Sequence, residues 1–322
     1  MQNRTKNKQS REQLNLMLEK AFQGLKALEV TELTEGFFNV AYLIKLSDGR
    51  DVILKIAPPK EAIIMTHEKN IMCSEVETMR IVTERTEVPV ARVLFYDNSK
   101  AICESEYFFM EKLSGKSFNV LRDNLNEEEQ RKINFQTGVY NRQINSIHGT
   151  KFGYYGQPDK QGNDWYQVFR SMMQDIVDDA ARLSIEFGAE VSKILDLLER
   201  DKNYFMEVTV PKLVHWDLWA GNVFVLGGTI TGFIDFERCL WGDELMEVGF
   251  RTYDRNQSFL DGYGIGNLTK SQIIRAKWYD VYLLMIATLE CDYRLYEDRG
   301  MYEWGTSMTR EWITQIENRI NE

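Results

Sequence analysis

The spacing of apolar positions changes along the chain, and the change divides it in two. Residues 13–28 carry Leu14, Leu16, Met17, Leu18, Phe22, Leu25 and Leu28 at mostly helical intervals, which predicts an amphipathic first helix. Strand-like runs follow at 37–46 and 51–57, joined by Ser47-Asp48-Gly49-Arg50. Asp-Gly between two such runs predicts a hairpin, and Pro58-Pro59 stops the sheet. A helix is expected over 62–86, with its exit at Pro89, then strands over 91–96 and 106–110. Beyond Leu113-Ser114-Gly115 the helical period dominates. Helices are expected over 126–147, 164–187, 189–204, 269–296 and 306–320, interrupted by short strands at 212–214, 223–226 and 230–234. The pattern predicts an α+β chain in two lobes: a small antiparallel-sheet lobe over 1–112 and a larger, mainly helical lobe over 113–322. The stretch 149–163, rich in Gly, Gln and Tyr, is expected to be a mobile surface loop.

Composition narrows the partners. The 49 acidic residues outnumber 39 Lys and Arg, so no cationic surplus exists to replace the counterions of a nucleic acid. A cationic small molecule would suit the net charge of −10. Cys73, Cys103, Cys239 and Cys291 form no C-x-x-C pair and are too sparse for a disulfide scaffold; they read as reduced thiols of a cytoplasmic protein. Residues 1–10 lack the apolar run of a secretory signal. The apolar stretch 281–289 is far short of the ~20 residues a membrane span needs. The three histidines, His67, His148 and His215, close off sites that need several. His67 is expected to be solvated on its helix, and His148 to pack or cap.

The chemistry concentrates in Val214-His215-Trp216-Asp217-Leu218-Trp219-Ala220-Gly221-Asn222-Val223, an H-x-D-x-x-x-x-N run between apolar segments. Thirteen residues after Asn222 stands Asp235, in Ile234-Asp235-Phe236-Glu237. Two acids and an amide, each at the end of a short strand, can converge on one point. Phosphoryl transfer needs that set: one carboxylate to align the acceptor hydroxyl and take its proton, and an amide oxygen and second carboxylate to hold Mg2+, a hard ion that prefers oxygen. The metal offsets charge on the transferred phosphate, and positioning supplies most of the rest.

In these residues the chain resembles the aminoglycoside phosphotransferase family, within the wider protein-kinase-like fold. The family's H-x-D-x-x-x-x-N and I-D-[FWY]-E segments are matched by His215, Asp217, Asn222 and Asp235. The resemblance implies Asp217 as catalytic base, Asn222 and Asp235 as Mg2+ ligands, His215 as a brace of the loop, and ATP or GTP as phosphoryl donor. Upstream, Lys55 lies in Val52-Ile53-Leu54-Lys55-Ile56, where a strand can project its ammonium against nucleotide phosphates. A carboxylate from the next helix must hold it: Glu75 is the family-like candidate, ahead of Glu68 and then Glu77. By the same resemblance residues 108–115 are the hinge, where the Glu111 carbonyl and Leu113 amide face the base of the nucleotide. The loop Thr34-Glu35-Gly36-Phe37-Phe38-Asn39 would cover the phosphates, with Gly36 and Asn39 closest to them. It has a single glycine, and no G-x-x-x-x-G-K-[ST] run supports a P-loop fold instead.

The departures bear on the acceptor. Where protein kinases carry a lysine two places after the catalytic aspartate, this chain has Trp219, and no A-P-E segment follows Asp235. Both favour a small-molecule kinase over a protein kinase. A nucleotide-binding regulator with little catalysis is the rival from another class, but a pure binder needs no base. The family's usual G-D-P continuation is replaced by Gly242-Asp243-Glu244, with Glu247-Val248 beyond; Asp243 is expected to cage the catalytic loop or cap a helix. Asp-Leu-Trp-x-Gly-Asn also resembles fructosamine kinases, whose continuation Phe236-Glu237-Arg238 does not match. On the acceptor side Glu290 and Asp292 lead an acid-rich stretch that would draw a hydroxylated cation such as an amino sugar.

Overall fold

The protein is described from a computed structural model that covers residues 5–34, 36 and 38–319. The first helix, α1 (Arg11–Phe22), opens with a capping box: the Ser10 hydroxyl accepts from the Gln13 N–H, and the Gln13 side chain accepts from the Ser10 N–H. It stops well before residue 28, because Gly24 turns the chain at φ +80° and residues Ala27–Leu33 form a strand, β1, absent from the expected elements. β1 is an edge strand whose side chains are exposed or half-buried, so it lacks the apolar run that marks a strand in sequence. β2 (Val40–Leu46) and β3 (Asp51–Ile56) make the expected hairpin, with Gly49 at φ +89° in its turn. The expected start of β2 at Phe37 lies outside the described residues.

The chain then departs from the predicted helix over 62–86. Residues 58–70 cross toward the other lobe, with one 3₁₀ turn at Thr66–Glu68, and α2 covers only Ile71–Arg85. Asn70 in the left-handed region (φ +57°) starts that helix. Ile63, Ile64 and Met65 belong to the crossing segment, where Thr66 donates its N–H and hydroxyl to Asp179 at 2.6 and 2.8 Å. β4 (Val93–Asp97) and β5 (Tyr107–Glu111) complete an antiparallel sheet of order β1-β2-β3-β5-β4. Its two faces are both covered. Leu14, Met17 and Leu18 of α1 pack with Tyr42, Leu54 and Phe109, whereas Met72, Val76 and Met79 of α2 pack with Ile53, Phe108 and Met110. That double coverage is why β3 is buried along nearly its whole length.

The chain passes between lobes through Leu113 and Gly115 into β6 (Lys116–Ser117). Gly115 sits at φ +89°, and a Cβ there would lie 2.1 Å from the Val225 carbonyl oxygen; only glycine fits. The short α3 (Phe118–Leu121) leads to α4 (Glu127–Asn145), then β7 (Gly153–Tyr154), α5 (Trp165–Leu183), α6 (Val191–Arg200) and β8 (Lys212–Val214). β9 (Val223–Leu226) and β10 (Thr229–Phe233) pair with β6, and β11 (Leu240–Gly242) joins β7 and β8. The helices α7 (Gln257–Tyr263), α8 (Lys270–Arg294) and α9 (Gly300–Asn318) close the chain. α8 is the central helix, with Trp278, Tyr279, Tyr282 and Met285 buried against Phe169, Phe205 and Trp216. α9 begins six residues earlier than expected, and Ile320, its expected end, lies outside the described residues.

The stretch 149–163 is not the mobile loop its composition suggested. Phe152 and Gly162 exchange backbone hydrogen bonds at 2.8 and 3.0 Å, Tyr155 N–H donates to the Cys239 carbonyl, and Phe152 and Tyr154 are buried. All four cysteines are free thiols. No described helix is long and apolar enough to cross a membrane.

Candidate active site

β8 delivers its last residue, Val214, opposite Leu240, and the chain turns there into the H-x-D loop. The turn needs Trp216 at φ +68°, a conformation that costs a bulky side chain and persists only where its neighbours impose it. Glu247, fully buried, imposes it. Its Oε1 accepts from His215 N–H at 2.8 Å and its Oε2 from Trp216 N–H at 3.0 Å. Asn145, at the end of α4, donates its amide to Glu247 and to the Leu213 carbonyl, and accepts from the Tyr263 hydroxyl. Asp243, four residues earlier, caps its own 3₁₀ turn through Leu245 N–H and takes hydrogen bonds from Arg275 and Tyr279. Caging of the loop thus falls to Glu247.

His215 ties the loop to the second acid. Its Nε2 lies 3.1 Å from the Ile234 carbonyl and its Nδ1 accepts from Asp217 N–H at 3.3 Å, which fixes the neutral tautomer with the proton on Nε2. Burial pushes the ring down to about 4, so it stays neutral. Ile234 N–H donates to the Asn222 carbonyl, which holds the two strands' ends together. Asn222 donates its amide to the Asp217 carbonyl at 2.8 Å, leaving its oxygen as the atom for a cation. Asp235 is itself left-handed, at φ +63°.

Lys55 comes from the other wall of the cleft. Its Nζ donates to Glu75 Oε1 at 2.6 Å and also contacts Asp235 Oδ1. Burial alone would lower the ammonium, but Asp235, Glu75 and Glu237 outweigh it and hold Lys55 above its ordinary value. Glu75 is fully buried, and burial raises its carboxyl; Asp235, half-exposed, is held low by Lys55 against its own burial. Asp217 is different. Burial first, then the charges of Asp235, Glu237 and Glu290, raise it to about 7, with Arg238 alone pulling down among the main influences. A carboxylate so tuned can take a proton near neutral pH.

Among the described residues no group of three His, Cys, Asp or Glu side chains could hold a metal by itself. The donors here are one amide oxygen and one carboxylate, with a lysine ammonium already against that carboxylate. Such a sparse, all-oxygen set fits Mg2+, which is commonly held by one or two carboxylates and completed by phosphate and water.

The remaining candidates are placed as follows. The Gly36 and Asn39 carbonyls accept from Lys6 Nζ at 2.5 and 2.7 Å, and the Asn39 amide donates to Glu237 at 2.8 Å; Glu35 and Phe37 of the same loop lie outside the described residues. Glu111 ends β5 and its side chain pairs with Arg92, while Leu113 packs over Gly232. Glu68 does not share a helix with Glu75: it faces Arg294 in the crossing segment. His67 is buried beside Tyr154 and Trp216 rather than solvated. The backbone of His148, an exposed residue, bridges to Lys212. Glu290 reaches the cleft, where Arg238 engages it at 2.7 Å. Asp292 does not: two residues on, about 200° around the helix, it pairs with Arg299 through both oxygens. Glu247, Asn145, Arg238 and Arg294 were not singled out in sequence, and only the Glu247-Val248 pair hinted at a changed brace.

The arrangement can be set beside known proteins. Among solved structures, an APH(2″)-IIa aminoglycoside phosphotransferase in a ternary complex with streptomycin and ATP superposes with a TM-score of 0.63 over 94% of this chain and 97% of that one, at 15% identity. A thermostable mutant of the aminoglycoside phosphotransferase APH(4)-Ia gives 0.66 over 94% and 98%, at 18% identity. At that identity the likeness establishes the two-lobed, protein-kinase-like fold. A subtelomeric hrmA-associated cluster protein of Aspergillus fumigatus is 29% identical over 139 residues, 42% of this chain and 26% of that protein, so the match spans about a quarter of the relative's length. The profile of the phosphotransferase enzyme family matches residues 29–275, from β1 into α8, and the chain belongs to that family.

Proposed function

We propose that this protein moves the γ-phosphate of ATP or GTP, as the Mg2+ complex, to a hydroxyl of a small molecule. The observation that carries the reading is the joining of Asp217, Asn222 and Asp235 through His215 and Ile234, with Lys55 reaching Asp235 from the facing wall. Lys55, held by Glu75, grips the nucleotide phosphates, and the Glu111 carbonyl and Leu113 amide take its base. Asn222 and Asp235 hold the Mg2+, which when bound offsets negative charge on the phosphates. Asp217 accepts the proton of the acceptor hydroxyl as its oxygen bonds the γ-phosphorus; the bond from that phosphorus to the bridging oxygen breaks, and its electrons leave with ADP or GDP.

ADP release should be measured against amino sugars, macrolides, amino alcohols, simple sugars and alcohols that bear a carboxylate or phosphate. Turnover with at least one class is expected. Asp217→Asn should cut kcat by about 10² to 10⁴ while nucleotide affinity stays within about twofold. Nucleotide binding with no release across the panel would convert the reading to a regulator, and an unchanged kcat in Asp217→Asn would remove the base.

A further inference from the structure

The acids around Asp217 and Arg238 already hold partners. Glu290 accepts from Arg238 at 2.7 Å and lies 3.8 Å from Arg294; Glu68 is paired with Arg294; Glu237 accepts from Asn39 at 2.8 Å. The guanidinium groups are less fully used. Arg294 is 2% exposed, yet its Nε and Nη1 have no hydrogen-bond partner among the described residues. The ring of Phe38, from the loop expected to cover the phosphates, lies 4.6 Å over its guanidinium carbon and can donate or accept nothing in its plane. A buried guanidinium with idle N–H groups is costly to keep, and an oxyanion is the group that would use them.

Arg238 extends the positive ground toward the base. It stands three residues after Asp235, its guanidinium lies 5.4 Å over the ring of Trp216, and it shares Glu290 with Arg294. The charges facing the two arginines are thus Glu68, Glu237 and Glu290, with Lys6 near Arg294 and Asp217 beside Arg238. No described ion pair joins Arg294 to Asp235, and Lys55 is the cation that does reach that acid.

Resting on the phosphotransferase reading, we propose that Arg294 with Arg238 forms an anion subsite on the acceptor side, so that the acceptor is an alcohol bearing an acid group, such as a carboxylate or phosphate, and not a polyamine-rich sugar. The acid group anchors on the idle N–H groups of Arg294, and the hydroxyl is thereby held near Asp217. The same oxyanion chemistry could come from the donor's γ-phosphate, and the test separates the two sources.

Inorganic sulfate serves as the probe, titrated calorimetrically into the full chain saturated with Mg-ADP and, separately, with Mg2+ and a non-hydrolysable ATP analogue. A saturable isotherm of similar affinity in both is expected. Glu68→Gln, which frees the remaining face of Arg294, should tighten sulfate about threefold; Glu68→Gln combined with Arg294→Gln, which strands no buried charge, should weaken it about tenfold or more. Melting curves of both variants report their folding, and a merely structural arginine would alter melting without this opposite pair of effects. Absence of saturable binding, or binding indifferent to Arg294, overturns the proposal. Sulfate excluded by the ATP analogue but not by ADP assigns Arg294 to the donor phosphate and overturns it too. Because the probe reads binding without turnover, a failure of phosphate transfer would show in the acceptor panel and leave these isotherms unchanged.

Discussion

Glu247 offers the sharpest perturbation, because its partners are few and all visible. Its carboxylate receives the N–H groups of His215 and Trp216 and the amide of Asn145, at 2.8, 3.0 and 2.8 Å, with no exposure to water. In Glu247→Ala these donors lose their acceptor; Asn145 keeps its bond to Leu213. Stranding a buried donor costs about 1–3 kcal/mol each, and removing the buried anion returns part of that sum. A net loss of about 3–5 kcal/mol is expected, or roughly 4–7 °C in Tm for a chain of this size. Glu247→Gln retains one acceptor oxygen but points an N–H₂ at one of the donors, so about half that loss should remain. The functional consequence is larger than the thermal one. The two N–H groups that Glu247 accepts flank the strained turn at Trp216, φ +68°, and when that turn relaxes Asp217 leaves its place. In Glu247→Gln, kcat should fall at least about tenfold while nucleotide affinity is little changed. Thermal melts and steady-state kinetics of the two variants test this. Variants that melt within about 1 °C of the parent and turn over at its rate would refute the idea that Glu247 sets the loop.

Asp217 and Gly115 carry three further predictions. In the proposed transfer Asp217 must be ionised to take the proton, and its carboxyl is raised to about 7, so kcat should climb through that pH and level off above it; a flat profile across neutrality would contradict the tuning. The sign for stability is opposite: a carboxyl raised on folding favours the protonated state, so this group erodes stability as pH rises from the ordinary carboxylate value to about 7, and Asp217→Asn should melt higher than the parent above pH 7 but not in acid. Gly115→Ala would place a Cβ 2.1 Å from the Val225 oxygen at a positive φ, which should cost about 2–4 kcal/mol and weaken nucleotide binding at the adjoining hinge; a neutral melt would show that the crossing can shift.

The legibility of the chain was uneven, for identifiable reasons. β8 and β9 match their expected limits because each is a short apolar run with one place to end. β1 escaped notice because an edge strand with half-exposed side chains has no apolar signature. Residues 62–70 read as helix because they run without a breaker into α2, but only Met65 of the apolar Ile63, Ile64 and Met65 is buried, under α5 and α8, while the backbone at Thr66 bonds to Asp179 and Gln157. Removing that segment from the helix is what sends Glu68 to Arg294 and leaves Glu75 to meet Lys55.

The sequence by itself determined the set of groups proposed to react, since the spacing of His215, Asp217, Asn222 and Asp235 is a property of one loop and one hairpin. What surrounds those groups was decided by the tertiary structure alone. The brace on the loop comes from Glu247 and Asn145, the tuning of Asp217 from Glu237, Arg238 and Glu290, and the idle guanidinium from an ion pair spanning 226 residues. Electrostatic energy depends on distance and burial in three dimensions, and neither survives projection onto a linear order of residues.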